Sequence, residues 1–426
     1  MTSSVKPGVT GRHLPANSGE RLPVVGLLTL SGAMFISMAT EFLPSGLIPQ
    51  ISADFGRSAS DVGNMVTVFA LTVILTAAPL AILTRRMPRK TMVLISFALI
   101  GAGNVVLVLA PSFEFLLGAR ILGAVGHGAF WTVVSAYPAY LVRPTQLAKA
   151  MAITAAGGSV AGVIGTPLGN ALGQIFGWRS AFAVLAGLVI VLMLLMVWML
   201  PAVHPHGADT KPPKTGPVGR DKSIPAILII SVLILMVVSA QISFGTYTVV
   251  WLLDVVNLAP AGVPVILFVS GIASAVGVAV TGAFYRKFPT GMFLASLATQ
   301  VGILCAIPVA ATMNSQIPVW ILITIMGAVF GGIPVMLQTR MMQSASVGAR
   351  NVAAALQTTA FNVGIGGGAF MGGAVIDHVS LTVLPFWAAI CMCVALIAAV
   401  IWEIYIKRRP KKPGKKEKEA IDGVHE

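Results

Sequence analysis

The chain has 426 residues, 56% of them apolar and only 10% charged, with a mean hydropathy of +0.90. Those values exclude a soluble globular domain, in which about a quarter of the residues are charged. The formal charge of +14 does not point to nucleic acid, because the basic residues are scattered over short segments and form no concentrated recognition face.

Twelve long apolar stretches follow in chain order: 24–48, 62–84, 91–110, 115–140, 147–176, 179–200, 224–253, 261–284, 291–313, 317–337, 351–376 and 381–406. Each has about the 20 residues that an α-helix needs to cross a bilayer's hydrocarbon core. A polar tail (1–21) precedes the first, which is too long for a signal-peptide core and is expected to remain as a helix. Lysine and arginine fall on every second break. With the N-terminus placed in the cytoplasm, all 28 except Arg57, Arg120 and Arg179 lie on that side. The positive-inside rule therefore predicts that both termini are cytoplasmic. The expected fold class is an all-α polytopic membrane protein.

Glu41, in the first span, is the one acid placed well inside hydrocarbon. Such a group costs about 3 kcal/mol on insertion scales, so it is kept for function or is reached by interfacial water. On the fourth span, Arg120, His127, Trp131 and Ser135 form one stripe at helical spacing. That stripe is expected to face water or another helix. At 1.5 Å per residue, Glu41 and Arg120 stand at similar depth, which makes them expected partners. Burial favours a neutral carboxyl and a nearby guanidinium favours the carboxylate, so a change in their separation would change proton affinity. Blander roles stay open: Arg120 bonding to backbone carbonyls, His127 bonding across helices, Trp131 packing instead of stacking on substrate.

The fifth span carries Gly165, Gly169, Gly173 and Gly177, and the eleventh carries Gly364, Gly368 and Gly372. A four-residue spacing puts each row on one helix face, where a neighbouring helix can come close. The breaks RRMPRKTM (Arg85–Met92) and RKFPTGMF (Arg286–Phe293) also echo one another. Between the two sets of six spans, Pro201–Ser223 is polar and rich in Pro and Gly, and reads as a cytoplasmic linker. The expected organisation is thus two pseudo-symmetric six-helix bundles, 22–200 and 224–406, with substrate between them.

In the second bundle the helices equivalent to spans 1 and 4 are expected to hold no buried charge, and Glu403 is placed near the inner surface. Gln241, Ser243, Tyr247, Thr248 and Trp251 on span 7, with Gln357, Thr358 and Asn362 on span 11, could hydrogen-bond a neutral substrate. Each could equally bond a neighbouring helix, at about 0.6 kcal/mol. The polybasic tail 407–426 is expected to lie against anionic lipid headgroups. Cys305, Cys391 and Cys393 lie inside spans and predict neither a disulfide nor a metal site. No HExxH, GxSxG or phosphate-loop run is present, which argues against an enzyme.

Three stretches, ATEFLPSGLIPQIS (Ala39–Ser52), RILGAVGHGAFW (Arg120–Trp131) and VIGTPLGNALGQIFGWRSAF (Val163–Phe182), resemble the 12-helix drug:proton antiporters of the major facilitator superfamily. The resemblance spans 22–406 and is nearest to the bacterial branch of sugar, purine-nucleoside and amphenicol exporters. It implies that Arg120, in the arginine motif of helix 4, takes part in proton transfer and that Glu41 is the acid of the helix 1 motif; with His127 on the stripe of Arg120, these three are the expected proton-coupling residues. It also implies that Gly162, Gly165, Pro167 and Gly169 form the antiporter signature of helix 5, and that Arg85, Arg86, Arg89 and Lys90 form the gating loop motif. The substrate cavity would then take Trp131, Ser135, Gln241, Tyr247, Trp251, Thr358 and Asn362. The chain departs from the pattern at Arg85, near where the family has Asp, and at Ala81, Thr166 and Asn170, where Gly is usual.

The implied protein is a monomeric, proton-driven exporter in a bacterial cytoplasmic membrane, without a cofactor. Its substrate would be a small neutral or weakly charged organic molecule such as a drug, sugar or nucleoside. A proton-coupled importer or facilitator is the nearest alternative, and a membrane receptor that does not translocate is a more distant one.

Overall fold

The computed structural model describes residues 22–134, 137–201, 203, 221–313 and 315–408. Ser135, the N-terminal tail, most of the linker and the polybasic tail fall outside the described residues.

Among the described residues, twelve helices are long and apolar enough to cross a membrane. They are α1 (Val24–Phe55), α2 (Ala59–Leu83), α3 (Arg89–Val108) and α4 (Phe113–Val134), then α5, built from Leu147–Val160, a π-helical turn Ala161–Gly165 and Thr166–Phe176. Next are α6 (Trp178–Met199) and α7, which runs over Ile224–Gly245 and resumes as Thr248–Asp254. The rest are α8 (Gly262–Phe284), α9 (Pro289–Ala311), α10 (Ile317–Ser344), α11 (Arg350–His378) and α12 (Leu384–Arg408). α1 outruns the expected span by two turns because its stop is Gly56, in the left-handed conformation at φ 60°. Ser58 then caps α2, exchanging bonds with Asp61 in a capping box.

Twelve crossings bring both ends of the described chain to one face, which also carries Arg85–Lys90, Arg286 and Lys287 and is called the basic face below. On the far face, Arg57 pairs with Glu114 at 2.5 Å and Arg179 with Asp54 at 2.5 Å. Two of the three exceptions to the charge bias are therefore neutralised in place.

The glycine rows act as the spacing predicts. A methyl group on Gly165, Gly169 or Gly173 would meet Ala39, Leu43 or Leu47 of α1. On Gly364, Gly368 and Gly372 it would meet Val238, Ser239 and Ser243 of α7. α5 thus lies on α1 as α11 lies on α7, in matching register. Thr166 and Asn170, where the resemblance led to an expectation of glycine, grip α1 at Gly46: Asn170 Nδ2 donates to the Gly46 carbonyl and Thr166 packs on its Cα.

The halves meet along three seams, α2 with α11, α5 with α8, and α1 with the end of α7. Toward the far face, Ser60 Oγ donates to Asp377 Oδ1 (2.5 Å), Thr67 Oγ1 to the Gly366 carbonyl (3.0 Å) and Gln174 Nε2 to the Pro260 carbonyl (2.8 Å). Followed toward the basic face, the same helix sides become exposed, at Leu71, Ala78 and Ile82 on α2, Ala355 and Thr359 on α11, Ala155 and Ser159 on α5, and Ala275 and Gly282 on α8. The cleft between the halves is therefore closed at the far face and open at the basic face.

The second half holds a charge pair largely out of water, at the basic-face ends of its helices. Arg340 near the end of α10 pairs with Glu403 of α12, their side chains 13% and 10% exposed. Thr290 Oγ1 donates to Glu403 (2.8 Å), Arg340 Nη2 donates to the Pro289 carbonyl (3.0 Å), and the Arg340 guanidinium lies 4.4 Å over the Phe293 ring. The linear sequence hides the pair because each member sits at a helix end that reads as interface.

Candidate functional site

The site begins with a proline. In an α-helix the carbonyl of residue i accepts from the N–H of residue i+4, and Pro44 has none. The Thr40 carbonyl is therefore without its helical donor in the middle of α1. Arg120 on α4 fills that gap: Nη1 donates to the Thr40 carbonyl at 2.6 Å and Nη2 to the Glu41 carbonyl at 3.0 Å. Its Nε reaches the Met65 carbonyl of α2 at 3.4 Å, and its guanidinium lies 4.2 Å from the Phe69 ring centre. Arg120 is 1% exposed. A buried guanidinium in this setting is held by three carbonyls on two helices and an aromatic face.

The carboxyl group of Glu41 meets His127 at ion-pair distance, while the expected partner, Arg120, acts on it as a charge from farther off. Glu41 and His127 are each 4% exposed, and Glu41 Oε2 stands 3.6 Å from His127 Nε2. That is ion-pair distance and too long for a hydrogen bond. The other ring nitrogen, Nδ1, bonds with Ser37 Oγ at 2.9 Å. Phe69 meets the imidazole edge-on at 5.1 Å, and Trp131 lies tilted against it at 6.0 Å. Arg120 thus holds the backbone of Glu41, while His127 faces its side chain. At Arg120 and His127 the stripe on α4 does face another helix, and the acid points into the protein and not toward lipid.

Ser37, Phe69 and Asn104, whose Nδ2 donates to Thr40 Oγ1 at 3.3 Å, belong to this site and were not singled out from the sequence. Only Thr40 had a readable signal, the proline four positions on. Phe69 looks like any apolar residue of a membrane helix.

The remaining expected residues scatter. Tyr247 and Trp251 are fully buried and do not line the cleft: α7 breaks after Gly245, Tyr247 enters the closed seam and Trp251 packs edge-on against Phe244. Tyr247 Oη donates to the Ala369 carbonyl at 2.9 Å, and its ring presses on Gly63 of α2. Gln241 is also buried, its Oε1 without a partner. Thr358 is exposed and Asn362 half-buried on the open side of α11, where their side chains bond back to the Ala354 and Thr358 carbonyls. Gly162 and Val163, in the π-helical turn, present bare backbone to Gly271 of α8. Pro167 is buried just beyond that turn. Arg85 and Arg86 are exposed, the Arg89 amide donates to the Val203 carbonyl (2.8 Å), and Lys90 Nζ donates to the Val197 carbonyl (2.7 Å). Among the described residues no group of His, Cys, Asp or Glu could hold a metal ion.

Known proteins resemble this chain over most of its length. A family profile described as the Major Facilitator Superfamily matches residues 30–369. A probable sugar efflux transporter of Mannheimia succiniciproducens is 26% identical over 392 residues, covering 92% of this chain and 97% of that one. Two solved structures of a bacterial homolog to the human lysosomal transporter Spinster share the fold at 16% identity. The inward-facing, unoccupied form has a TM-score of 0.65 and covers 91% of this chain and 96% of that one. The inward-facing, occupied form has a TM-score of 0.63 and covers 89% and 94%.

Proposed function

Because this chain belongs to the major facilitator superfamily, a family of membrane transporters, we propose that it is a proton-coupled exporter working by alternating access. A proton taken up on the far side would be released to the basic side as the substrate leaves the other way. We place it in a bacterial cytoplasmic membrane with the basic face in the cytoplasm, as the charge bias supports.

The observation that carries the proposal is the buried carboxyl of Glu41, held against His127 within the first bundle. An ionisable group kept inside hydrocarbon, with a titratable neighbour at 3.6 Å, is the minimum equipment for carrying a proton. One proton crossing 100 mV releases about 2.3 kcal/mol. A one-for-one exchange would hold a neutral solute at a gradient of about 40-fold. The cargo is a small neutral or weakly charged organic molecule. Thr358 and Asn362 on the open wall of the cleft support neutral polar recognition, and the relative's sugar efflux points to hydroxyl-rich solutes.

Reconstituted vesicles test the proposal. Substrate-driven proton release should occur with the unaltered chain and vanish in Glu41→Gln, while substrate binding persists. Proton release by Glu41→Gln at the unaltered rate would remove Glu41 from the mechanism. A panel of sugars, nucleosides and amphenicols, scored by counterflow, would identify the cargo.

A further inference from the structure

Behind Arg120, on the side of α3, lies an arrangement that the proton pair does not use. Asn104 is fully buried. Its Nδ2 donates to Thr40 Oγ1 at 3.3 Å, but its Oδ1 has no hydrogen-bond partner. α3 is pressed onto α4 beside it, since a Cβ on Gly103 would lie 2.8 Å from the Gly123 nitrogen and 3.0 Å from the Ala119 carbonyl. Thr40 is also the residue whose carbonyl takes Arg120 Nη1. A guanidinium has five N–H donors, and three are engaged, by the carbonyls of Thr40, Glu41 and Met65. A residue with a bare carboxamide oxygen and one with unspent charged donors therefore both bond to Thr40, from α3 and α4.

We propose that Thr40, Asn104 and Arg120 form a binding site for one buried water, and that Asn104 is through it a positioning residue for Arg120. The water accepts from a free Arg120 N–H and donates to Asn104 Oδ1 and Thr40 Oγ1, which is about the three bonds typical of buried waters. This fixes the guanidinium against the Thr40 and Glu41 carbonyls and so sets its distance from the Glu41 carboxyl. The positioning role rests on the proton-coupling function proposed above; the water site does not. The ionisable groups facing Arg120 are Glu41 of α1 and His127 of its own helix. α2 contributes the Met65 carbonyl and the Phe69 ring, and α3 contributes no ionisable side chain at this level.

Two measurements decide it. The first is a high-resolution structure of the full chain in a lipid disc. It should show a water within hydrogen-bond distance of both Asn104 and Arg120; a map that resolves other buried waters and shows none here overturns the site. The second is transport against pH in vesicles. Asn104→Leu should keep substrate affinity yet move the half-maximal pH by about 0.5 unit or more, a threefold change in proton affinity. An unmoved profile overturns the positioning role. If Asn104→Leu does not fold, Asn104→Ser takes its place: it leaves room for a second water and is expected to give a smaller shift of the same kind, with an unmoved profile again overturning the role. Failure of the proton reading would appear separately, as coupling that survives Glu41→Gln, and would leave the water in the map.

Discussion

The Thr40 carbonyl accepts Arg120 Nη1 at 2.6 Å because Pro44, four positions on, has no N–H to offer it. Pro44→Ala would return that donor and make the backbone compete with Arg120. A hydrogen bond to a charged group is worth about 1.5–3 kcal/mol, so transport should fall by about tenfold or more. Protein yield should hold, because Ala favours a helix interior over Pro by about 3 kcal/mol. Flux per molecule in the membrane is the measurement. Unchanged flux would mean that the kink is not what seats Arg120.

Arg120→Lys keeps the charge and loses the fork. A lysine ammonium cannot reach carbonyls on α1 and α2 together while lying flat on Phe69. Transport should drop by at least an order of magnitude, with the thermal midpoint in detergent little altered. A lysine variant that transports at the original rate would show that charge alone suffices.

Tyr247 seals the far side as a knob in a glycine hole. Its hydrogen bond goes to Ala369 within its own half, and toward the other half its ring presses on Gly63. Opening the seam there breaks that contact together with the flanking Ser60–Asp377 and Thr67–Gly366 hydrogen bonds. Gly63→Val should wedge the halves apart, since overpacking costs about 1–3 kcal/mol, enough to shift the open-to-closed ratio by roughly 5–150-fold. A disulfide between cysteines placed at Ser60 and Asp377 should form readily where Gly63 is retained and poorly in the Gly63→Val background. Equal crosslinking in both would show that the seam tolerates the added volume.

The Arg340–Glu403 pair should be structural. Glu403→Gln leaves a half-buried guanidinium without its counter-charge and should cost less than the roughly 3–5 kcal/mol of a fully buried pair, read as a lowered thermal midpoint. The double change Arg340→Met, Glu403→Leu should recover most of that loss. If the double variant is as unstable as the single one, the neighbouring Thr290 and Phe293 contacts matter more than the charges.

Acid should loosen the end of the linker. Asp221 accepts from Ser346 Oγ (2.5 Å), Ser223 N and Ser223 Oγ (both 2.8 Å), and these bonds, Ser346's first, hold its carboxyl below the ordinary value of 3.8. A carboxyl with a lowered folded pKa stabilises above its unfolded value, and that contribution is lost as pH falls through the folded value. Amide exchange around Ser346–Arg350, corrected for intrinsic rate, should therefore rise below about pH 4. Ser346→Ala should flatten that dependence. A rise that persists in the alanine variant would point to another acid.

Much of the architecture was readable before any coordinates. Span lengths, the alternating basic breaks and the two glycine rows are one-dimensional patterns, and each maps onto one physical requirement: bilayer thickness, charge asymmetry, close helix approach. The same patterns placed Glu41 and Arg120 at similar depth on α1 and α4, and His127 on the same face of α4 as Arg120. They misassigned Tyr247 and Trp251, because nothing in the apolar run of α7 announces the break after Gly245. They also missed Arg340–Glu403, whose members come together only when α10 and α12 are packed side by side.

The sequence by itself determined how many times the chain crosses the membrane, which breaks carry the positive charge, and that one carboxyl group is left in hydrocarbon. Only the tertiary structure decided which atoms that carboxyl and its neighbouring guanidinium touch. The reason is geometric: hydropathy and spacing set a residue's depth and helix face, but a contact of about 3 Å depends on how each helix is rotated and kinked against the next. Here a proline in α1 and the glycines of α3 and α5 set that rotation.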